Sequence, residues 1–464
     1  MTIQRPLEEI ALHFATPVWG SEYTRTFLEV MLPSLLAPGN LPAIPNRGRS
    51  VYRIFTLDDD VQAIKESAAY AALASLMAVE VSVISVPDEN KYHRASDCYR
   101  ESFRKASQAQ AAIVMLGPDV VVADGSIDAM LRLLNAGKRA ILVLGVRTVK
   151  ESLMPELLSR YAEDGFLRVP KRDLAKLALD HLHPITESHM FDGDSPNYHA
   201  SGLFWRVGDE GLLLHGFHLH PIAVHAPTFS GEFQNTIDND MVEKANLPDD
   251  EVHVVTDSDE ILCFEMSSRD YSFATPERGG MRGLVTSVLS ATTKFHWKIV
   301  QVPIRVHAGK TTASDWKRTE QRAQYVIKRI LDSCEESIRL AAWARGDFRD
   351  ASIVDRLHMM IRAISDASID VRNFIDSQPR VRAKAFLAFL IIAVFRAWSV
   401  VGLPTPAWLK SINDRAEMYL QVKKFFAQTY NWYVLRIVAA TFAVTAQHIS
   451  ASLGISTQDP GRRP

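Results

Sequence analysis

The chain has 464 residues, of which 47% are hydrophobic and 23% are charged, a composition typical of a globular protein with a sizeable core. This length predicts either two domains or one large domain with an extension. The formal net charge of -2 argues against a protein that binds nucleic acid or an anionic membrane through a general positive field.

Cysteine usage and the chain start predict a cytoplasmic protein. Cys98, Cys263 and Cys334 show neither a metal-binding spacing nor a disulfide framework. The first residues lack the basic and apolar regions of a secretory signal. The most apolar run, residues 385–395, is shorter than the ~20 residues that a membrane span needs. It predicts a buried helix or, alternatively, a helix lying on the inner face of the membrane.

Strand-like and helix-like segments alternate through the first third of the chain. The predicted strands are Ile10–Val18, Val51–Leu57, Val79–Val86, Ala111–Leu116 and Lys138–Val146. The predicted helices run from an N-cap at Ser21 to the stop signal at Pro38, over Val61–Val79, and over Asp97–Ala109. A strand about every 30 residues with a helix between strands indicates βαβ units on a parallel sheet.

The pattern changes after Val146. One helix is predicted over Leu153–Leu179, and the chain is helical again from about Thr312. Between them lie six strand-like pieces separated by long loops that carry most of the histidines. These pieces are Ser201–Val207, Leu212–His218, Pro221–Ala226, Val252–Thr256, Ile261–Met266 and Ile299–Val306. They predict antiparallel or mixed additions to the sheet.

A carboxylate follows the fourth predicted strand. The apolar run Ala111–Leu116 stops at Gly117-Pro118-Asp119, which indicates a buried strand rather than a helix. A second apolar run then leads to Asp124 and a helical pattern. Because open α/β sheets bind ligands outside the carboxyl ends of their strands, Asp119 is predicted to lie at the active-site edge.

Further acidic and histidine groups follow later strands. Asp238 and Asp240 lie in one D-x-D sequence and Asp257 and Asp259 in another, and paired oxygen ligands of this kind suit Mg²⁺ or Mn²⁺. His218 and His220 alternate, so both rings should leave one side of a strand, and His307 ends the last predicted strand. Histidines here could complete a metal shell, act as a base or serve only the fold.

A basic segment and an aromatic loop complete the candidate site. The basic segment precedes Asp119 and suits a diphosphate, although a solvated basic face is the alternative. Its members are Lys91, Tyr92, His93, Arg94, Arg100, Arg104 and Lys105. The loop Thr16–Gly20 lacks a G-x-G-x-x-G fingerprint, but Trp19 could stack on a planar base; a simple turn with a buried Trp is the alternative.

Residues 10 to about 147 resemble the nucleotide-binding half of GT-A glycosyltransferases. The resemblance rests on strand ends at Thr16-Pro17 and at Thr56–Asp58, on the helix with Arg100, and on the sequence IVMLGPDVVVADGSIDAML. The family has a D-x-D motif at this last place. Here Gly117 stands at the first Asp, so only Asp119 carries over as a metal ligand. The opening segment is also similar to a bacterial group of glycosyltransferase-like proteins.

The resemblance implies an α/β fold: a GT-A-like (Rossmann-like) mixed sheet flanked by helices, followed by an α-helical C-terminal extension. Residues 1–310 would form the catalytic domain that binds the nucleotide sugar. Residues 311–464 would form the extension with a disordered tail. The extension would bind the acceptor, contact the membrane peripherally or mediate oligomerisation.

The implied function is metal-assisted transfer of a sugar from a nucleotide-diphosphate-sugar donor to a hydroxyl group of a glycan, lipid or protein, with no nucleic acid as partner. The residues expected to bind the donor are Thr16, Pro17, Trp19, Asp58, His93, Arg100 and Asp119. Asp238 or Asp240 would be the catalytic base. Asp119, His220 and His307 would hold Mn²⁺ or Mg²⁺.

Two other readings stay open. A non-catalytic scaffold would bind a nucleotide sugar or a glycan without turnover. A metal-dependent hydrolase would bind its ion through several of His218, His220, Asp257 and Asp259, without any nucleotide.

Overall fold

The computed structural model describes residues 10–45, 47–85, 91–191, 202–233, 236–271 and 281–344, together with residues 407, 410 and 411. The chain divides into two compact units, Met1–Leu331 and Asp332–Pro464. The apolar run 385–395, the C-terminal tail and most of the predicted helical extension lie outside the described residues. Within the described part, no helix combines the length and the apolar character needed to cross a membrane.

The strands are β1 (Leu12–Pro17), β2 (Val51–Thr56), β3 (Ala78–Val83), β4 (Ala112–Met115), β5 (Val120–Val122), β6 (Ala140–Val143), β7 (Arg147–Val149), β8 (Ala162–Glu163), β9 (Phe166–Leu167), β10 (Gly202–Val207), β11 (Gly211–Gly216), β12 (His220–Val224), β13 (Val252–Val254), β14 (Cys263–Ser267) and β15 (Ile304–His307).

The α-helices are α1 (Ser21–Thr26), α2 (Leu32–Leu35), α3 (Asp58–Lys65), α4 (Ala68–Leu76), α5 (Lys91–Gln108), α6 (Ser126–Asn135), α7 (Lys150–Tyr161), α8 (Lys171–Asp180), α9 (Pro184–Ser188), α10 (Ile237–Ala245), α11 (Met281–Ala291), α12 (Lys294–Ile299) and α13 (Ala313–Ala344). A π-helical turn, Phe27–Met31, joins α1 to α2, and short 3₁₀ helices cover Leu41–Ala43, Arg47–Arg49 and Asp249–Glu251.

A seven-stranded sheet with the order β13-β6-β12-β4-β1-β2-β3 forms the centre of the first unit. The pairs β1–β2, β2–β3, β1–β4 and β6–β13 are parallel, whereas β12 runs antiparallel to both β4 and β6. Within the described residues, three smaller sheets have the orders β10-β11-β15, β5-β14-β7 and β8-β9. The predicted class, a mixed α/β sheet flanked by helices, is therefore confirmed.

The apolar runs form the inner strands because both faces of the central sheet are covered there. In β4, Ile113 and Met115 pack into one hydrophobic cluster, whereas Ala112 and Val114 pack into the other. This alternation follows from the period of two in a strand. Helix α5 adds to the first cluster, and α6 and the α1–α2 segment add to the second. Strands that are buried on both sides read as continuous apolar runs, which made them easy to predict.

Several local predictions were wrong for identifiable reasons. Ser21 is the first helical residue, not the N-cap; Gly20 precedes it with φ of 82°. Helix α5 begins at Lys91 rather than Asp97. The prediction missed its first two turns because their side chains are mostly polar and show no apolar periodicity. The single helix predicted over Leu153–Leu179 is two helices, and the short β8–β9 hairpin between them turns at Gly165, with φ of 91°.

The sheet topology brings four chain segments to one edge. Parallel strands β1, β4 and β6 end there, and the antiparallel strand β12 begins there. His220, the first residue of β12, pairs with Val143, the last residue of β6. Its Nε2 also lies 2.8 Å from the carbonyl oxygen of Met115, the last residue of β4. His218 lies just before the strand, so the prediction that both rings leave one strand face was wrong, although both side chains reach this edge.

Candidate functional site

An open cleft of about 710 Å³ lies at this edge of the sheet. That volume is in the usual range for a small-molecule site. The described lining comes from the loop after β1, the first turns of α5, the turn after β4 and the segments around Arg147, His220, Asp238, Glu265 and Tyr271. The cleft therefore occupies the place that the sequence predicts for ligand binding.

Six of the predicted site residues line this cleft. They are Pro17, Trp19, His93, Asp119, His220 and Asp238. Trp19 is half-buried and stands in the wall beside Pro17, whereas Asp119 follows Gly117 and Pro118 in the turn between β4 and β5. Six residues from five separate segments of the chain are thus brought together, which gives the cleft an aromatic wall, carboxylates and imidazoles.

Two of the residues predicted to bind the donor instead make structural contacts outside the cleft lining. Thr16 is fully buried, and its hydroxyl lies 2.8 Å from the hydroxyl of Tyr52. Arg100 donates to the carbonyl oxygen of Phe233 at 2.9 Å, and its guanidinium lies 4.4 Å from the centroid of that ring. Neither side chain is part of the described cleft lining.

Three further predicted residues also lie outside the lining. Asp58 is exposed in the first turn of α3. Asp240 forms an ion pair with Lys244 at 2.8 Å on one face of α10. His307 lies beside Asp257 at the end of β15. None of the three residues is part of the described cleft lining. The roles predicted for them stay predictions.

The small sheet β5-β14-β7 builds a charged group on one side of the cleft. Glu265 in β14 pairs in register with Val120 on one side and with Arg147 on the other. Asp119 immediately precedes β5, and its carbonyl oxygen accepts a hydrogen bond from Met266 at 2.8 Å. The carboxylates of Asp119 and Glu265 and the guanidinium of Arg147 are thereby fixed near one another by backbone pairing.

The electrostatics of this group follow from burial and from its two carboxylates. Burial, and then the charge of Glu265, raise the pKa of Asp119, while Arg147 acts in the opposite direction. Burial lowers the pKa of Arg147, but the two carboxylates outweigh it and raise that pKa above its ordinary value. Arg147 forms an ion pair with Glu265, donates to the hydroxyl of Ser267, and lies 4.7 Å from the centroid of the Tyr271 ring.

Lys91, the first residue of α5, reaches into the cleft among three tyrosines. Its Nζ donates to the Tyr23 hydroxyl at 3.0 Å. It lies 5.2 Å from the ring centroids of Tyr23 and Tyr92 and 5.3 Å from that of Tyr271. The hydroxyls of Tyr92 and Tyr271 are hydrogen bonded to each other. Burial and this hydrogen bond raise the pKa of Tyr92, so its hydroxyl stays protonated.

The cleft imidazoles have defined partners. A carbonyl oxygen can only accept, so the nitrogen of His220 that faces Met115 is protonated, and in the neutral ring Nδ1 carries the lone pair. His218 packs against His296, with ring centroids 4.5 Å apart. Its Nδ1 donates to the carbonyl oxygen of Asp238 at 3.4 Å. His220 therefore offers the cleft one basic nitrogen whose tautomer is fixed by the fold.

Asp257, Asp259 and His307 form a separate group that could hold a metal ion. Their ligand atoms lie within 4.8 Å of one another, and no other set of three such groups occurs within the described residues. His307 Nε2 lies 3.0 Å from the Asp257 carboxylate, and Asp259 accepts from Arg172 at 2.7 Å. Oxygen and imidazole ligands suit several divalent ions. This group shares no residue with the described cleft lining.

No protein-family model and no curated protein matches this chain. Among solved structures, the crystal structure of S. aureus TarS, a glycosyltransferase, is similar, with a TM-score of 0.28 and 11% sequence identity. The similarity covers 63% of this chain and 42% of the TarS chain, so it spans less than half of TarS. A likeness of this degree carries no argument about activity, which has to come from the chemistry of the cleft.

Proposed function

We propose that this chain is a glycosyltransferase that uses the cleft to move a sugar from a nucleotide-diphosphate-sugar donor to a hydroxyl acceptor. One observation supports this most. Carboxylates, cations and an aromatic wall converge at the carboxyl edge of parallel strands, where α/β proteins bind nucleotides. We further propose that the protein belongs to the bacterial group of glycosyltransferase-like proteins to which the opening segment is similar, and that it acts in polysaccharide biosynthesis.

Each part of the donor has a matching surface in the cleft. Trp19 and Pro17 offer an apolar wall against which a planar base would stack. Asp119 and Glu265 lie where the diphosphate would be, next to the cations of the small sheet and of α5. The acceptor would enter from the side of Asp238. The reaction requires only a hydroxyl group from the acceptor. A glycan, a lipid or a protein can each supply it.

A divalent ion, Mn²⁺ or Mg²⁺, fits the carboxylate pair. Mg²⁺ is commonly held by one or two carboxylates and completes its shell with substrate phosphates and water. Asp119 and Glu265 repel each other, which contributes to the raised pKa of Asp119, and a cation would relieve that repulsion. When bound, the ion would neutralise the diphosphate as it leaves. His220 lines the same cleft, whereas His307 belongs to the separate Asp257 group.

Asp238 is the better placed of the two candidate bases. It lies in the first turn of α10 and lines the cleft, while Asp240 forms an ion pair with Lys244 and is not part of the described lining. In an inverting transfer, the Asp238 carboxylate would take the proton of the acceptor hydroxyl as the new glycosidic bond forms. In the same step the bond between the sugar and the nucleotide diphosphate breaks, and the nucleotide diphosphate leaves from the opposite side of the sugar.

A panel of nucleotide sugars with Mn²⁺ or Mg²⁺ tests this function. We expect release of a nucleoside diphosphate from at least one donor, accelerated by a hydroxyl acceptor. If no donor is cleaved but a nucleoside diphosphate still raises the melting temperature, the non-catalytic scaffold is the correct function instead.

The Asp257–Asp259–His307 group favours one further candidate, a metal-dependent hydrolase. That function predicts hydrolysis of phosphate or ester substrates that requires the ion but no nucleotide. It also predicts that His307→Ala abolishes turnover, whereas the glycosyltransferase function predicts that Asp119→Asn does so. Parallel assays of the two variants distinguish the candidates, because each variant leaves the other group intact.

A further inference from the structure

We propose that Lys91 and Arg147 together bind the diphosphate of the ligand, and that the Tyr271 ring holds both cations in position before the ligand arrives. This inference rests on the proposed function and deepens it. The ligand chemistry is a diphosphate ester, whether it belongs to a nucleoside or to a lipid carrier.

The first argument is position. Lys91 and Arg147 are the lysine and the arginine found among the described residues that line the cleft. They come from different elements, the first turn of α5 and the start of β7, and they line the same cleft as Asp119. Lys91 belongs to the basic segment that the sequence predicts for a diphosphate. Arg100 of the same segment is held by Phe233 and Asp97 outside the lining.

The second argument is that one aromatic side chain supports both cations. The Tyr271 ring centroid lies 5.3 Å from Lys91 Nζ and 4.7 Å from the guanidinium carbon of Arg147. A cation within about 6 Å of an aromatic ring centroid is attracted to the π face, and this attraction offsets part of the repulsion between the two like charges. The hydrogen bond between Tyr92 and Tyr271 fixes the orientation of that ring. The pair is thus organised in advance for a ligand that carries two adjacent negative groups.

The third argument is that Lys91 has weak partners. Within the described part of the chain, its close contacts are three tyrosine rings and one phenol oxygen, and no carboxylate lies within ion-pair distance. A charge-assisted hydrogen bond to a phosphate oxygen is stronger than a contact with a ring at an exposed site. An incoming phosphate would therefore draw Lys91 away from the tyrosines.

Two carboxylates limit the binding of an anion in the absence of metal. Asp119 and Glu265 repel phosphate oxygens. Glu265 also forms an ion pair with Arg147, so part of the guanidinium is not available to the ligand. A divalent ion between the carboxylates and the phosphates would remove this repulsion. We therefore expect the two cations to bind the diphosphate in both conditions, and more tightly when Mg²⁺ is present.

Calorimetric titration with inorganic pyrophosphate, with and without Mg²⁺, tests this site independently of the base and the sugar. Lys91→Gln and Arg147→Gln should each weaken pyrophosphate binding about tenfold or more. The matched controls are Lys65→Gln, an exposed lysine on α3, and Arg139→Gln, a half-buried arginine paired with Glu251 at 3.3 Å. Both controls should bind like the unmodified chain.

A second pair of titrations separates the two sources of a diphosphate. Uridine and guanosine diphosphates represent the nucleotide, and farnesyl diphosphate represents the lipid carrier. Pyrophosphate binding that depends on Lys91 and Arg147, together with no transfer from any nucleotide sugar, would support this site and contradict the proposed function. No pyrophosphate binding in either condition would overturn the site itself. Binding by the folded Lys91→Gln and Arg147→Gln variants that equals binding by the unmodified chain would overturn it as well.

Discussion

Arg147 and Glu265 form an ion pair between the neighbouring strands β7 and β14, and this pair lies beside the carboxylate of Asp119. The arrangement places the negative charge of Glu265 close enough to Asp119 to raise its pKa. When a cation binds in the cleft, both carboxylates can be ionised. Without a cation, protonation of Asp119 removes one of the two negative charges.

The first prediction concerns Glu265→Gln. Removing this charge should lower the pKa of Asp119, because the repulsion that disfavours its ionised form is gone. Titration of carboxyl carbons by NMR, with Asp119→Asn used for assignment, measures the change. Glu251→Gln is the matched control, since Glu251 pairs with Arg139 away from the cleft. An unchanged Asp119 titration in Glu265→Gln would show that burial alone sets the pKa.

Asp119→Asn should stabilise the metal-free protein at neutral and alkaline pH. Burial and Glu265 raise the pKa of Asp119 from 3.8 to about 7. Because the folded pKa is the higher one, the protonated form is favoured by folding, and this contribution is lost as pH rises from 3.8 through 7. The asparagine carries no charge, so it avoids the loss.

We expect a gain on the order of 1 kcal/mol in the free energy of unfolding of Asp119→Asn at pH 8, and no gain near pH 4. Urea unfolding at the two pH values, in the presence of a chelator, measures it. The same variant should lose Mg²⁺-dependent binding of nucleoside diphosphate. Equal stability gains at pH 4 and pH 8 would exclude Asp119 ionisation as the cause.

Gly39→Ala should destabilise the fold by about 1 to 3 kcal/mol through overpacking. A Cβ at this position would lie 2.6 Å from the Gly125 nitrogen and 2.7 Å from the Asp124 carboxylate. That carboxylate accepts from the Gly39 amide at 2.7 Å, which ties the loop after α2 to the start of α6. Gly48→Ala is the control, because a Cβ there meets no atom within 4 Å. Similar unfolding midpoints for the two variants would contradict this packing.

The inner strands of the central sheet could be predicted because they are buried on both faces and read as apolar runs. The Asp119 position was predictable for the same reason, since a carboxylate after such a run lies at the ligand-binding edge. The role of Asp124 was less visible. It follows an apolar run in the same way, yet its oxygens bind Gly39 and Arg168 and stabilise a loop.

The charged half of the cleft could not be predicted, because it depends on pairing between distant segments. Residues Val120, Glu265 and Arg147 are neighbours only because β14 lies between β5 and β7. No local pattern encodes that order. A weak signal exists in the strand-like run Ile261–Met266, where Glu265 is a charged residue among apolar ones. Tyr271 gave no signal, since its importance comes from the two cations that it contacts.

The last prediction separates the two candidate bases. Asp238→Asn should lower kcat for sugar transfer about 10²- to 10⁴-fold, because it removes a group that accepts the acceptor's proton. Asp240→Asn changes the same chemical group two residues away, but there the carboxylate pairs with Lys244 outside the described lining. Its kcat should change less than about threefold, because this carboxylate lies outside the described lining and would take no part in the transfer. Steady-state kinetics over a range of pH measures both, and the limb of the profile that reports the base should disappear in Asp238→Asn alone. A larger loss in Asp240→Asn than in Asp238→Asn would assign the base to Asp240 and would require α10 to turn that residue towards the acceptor.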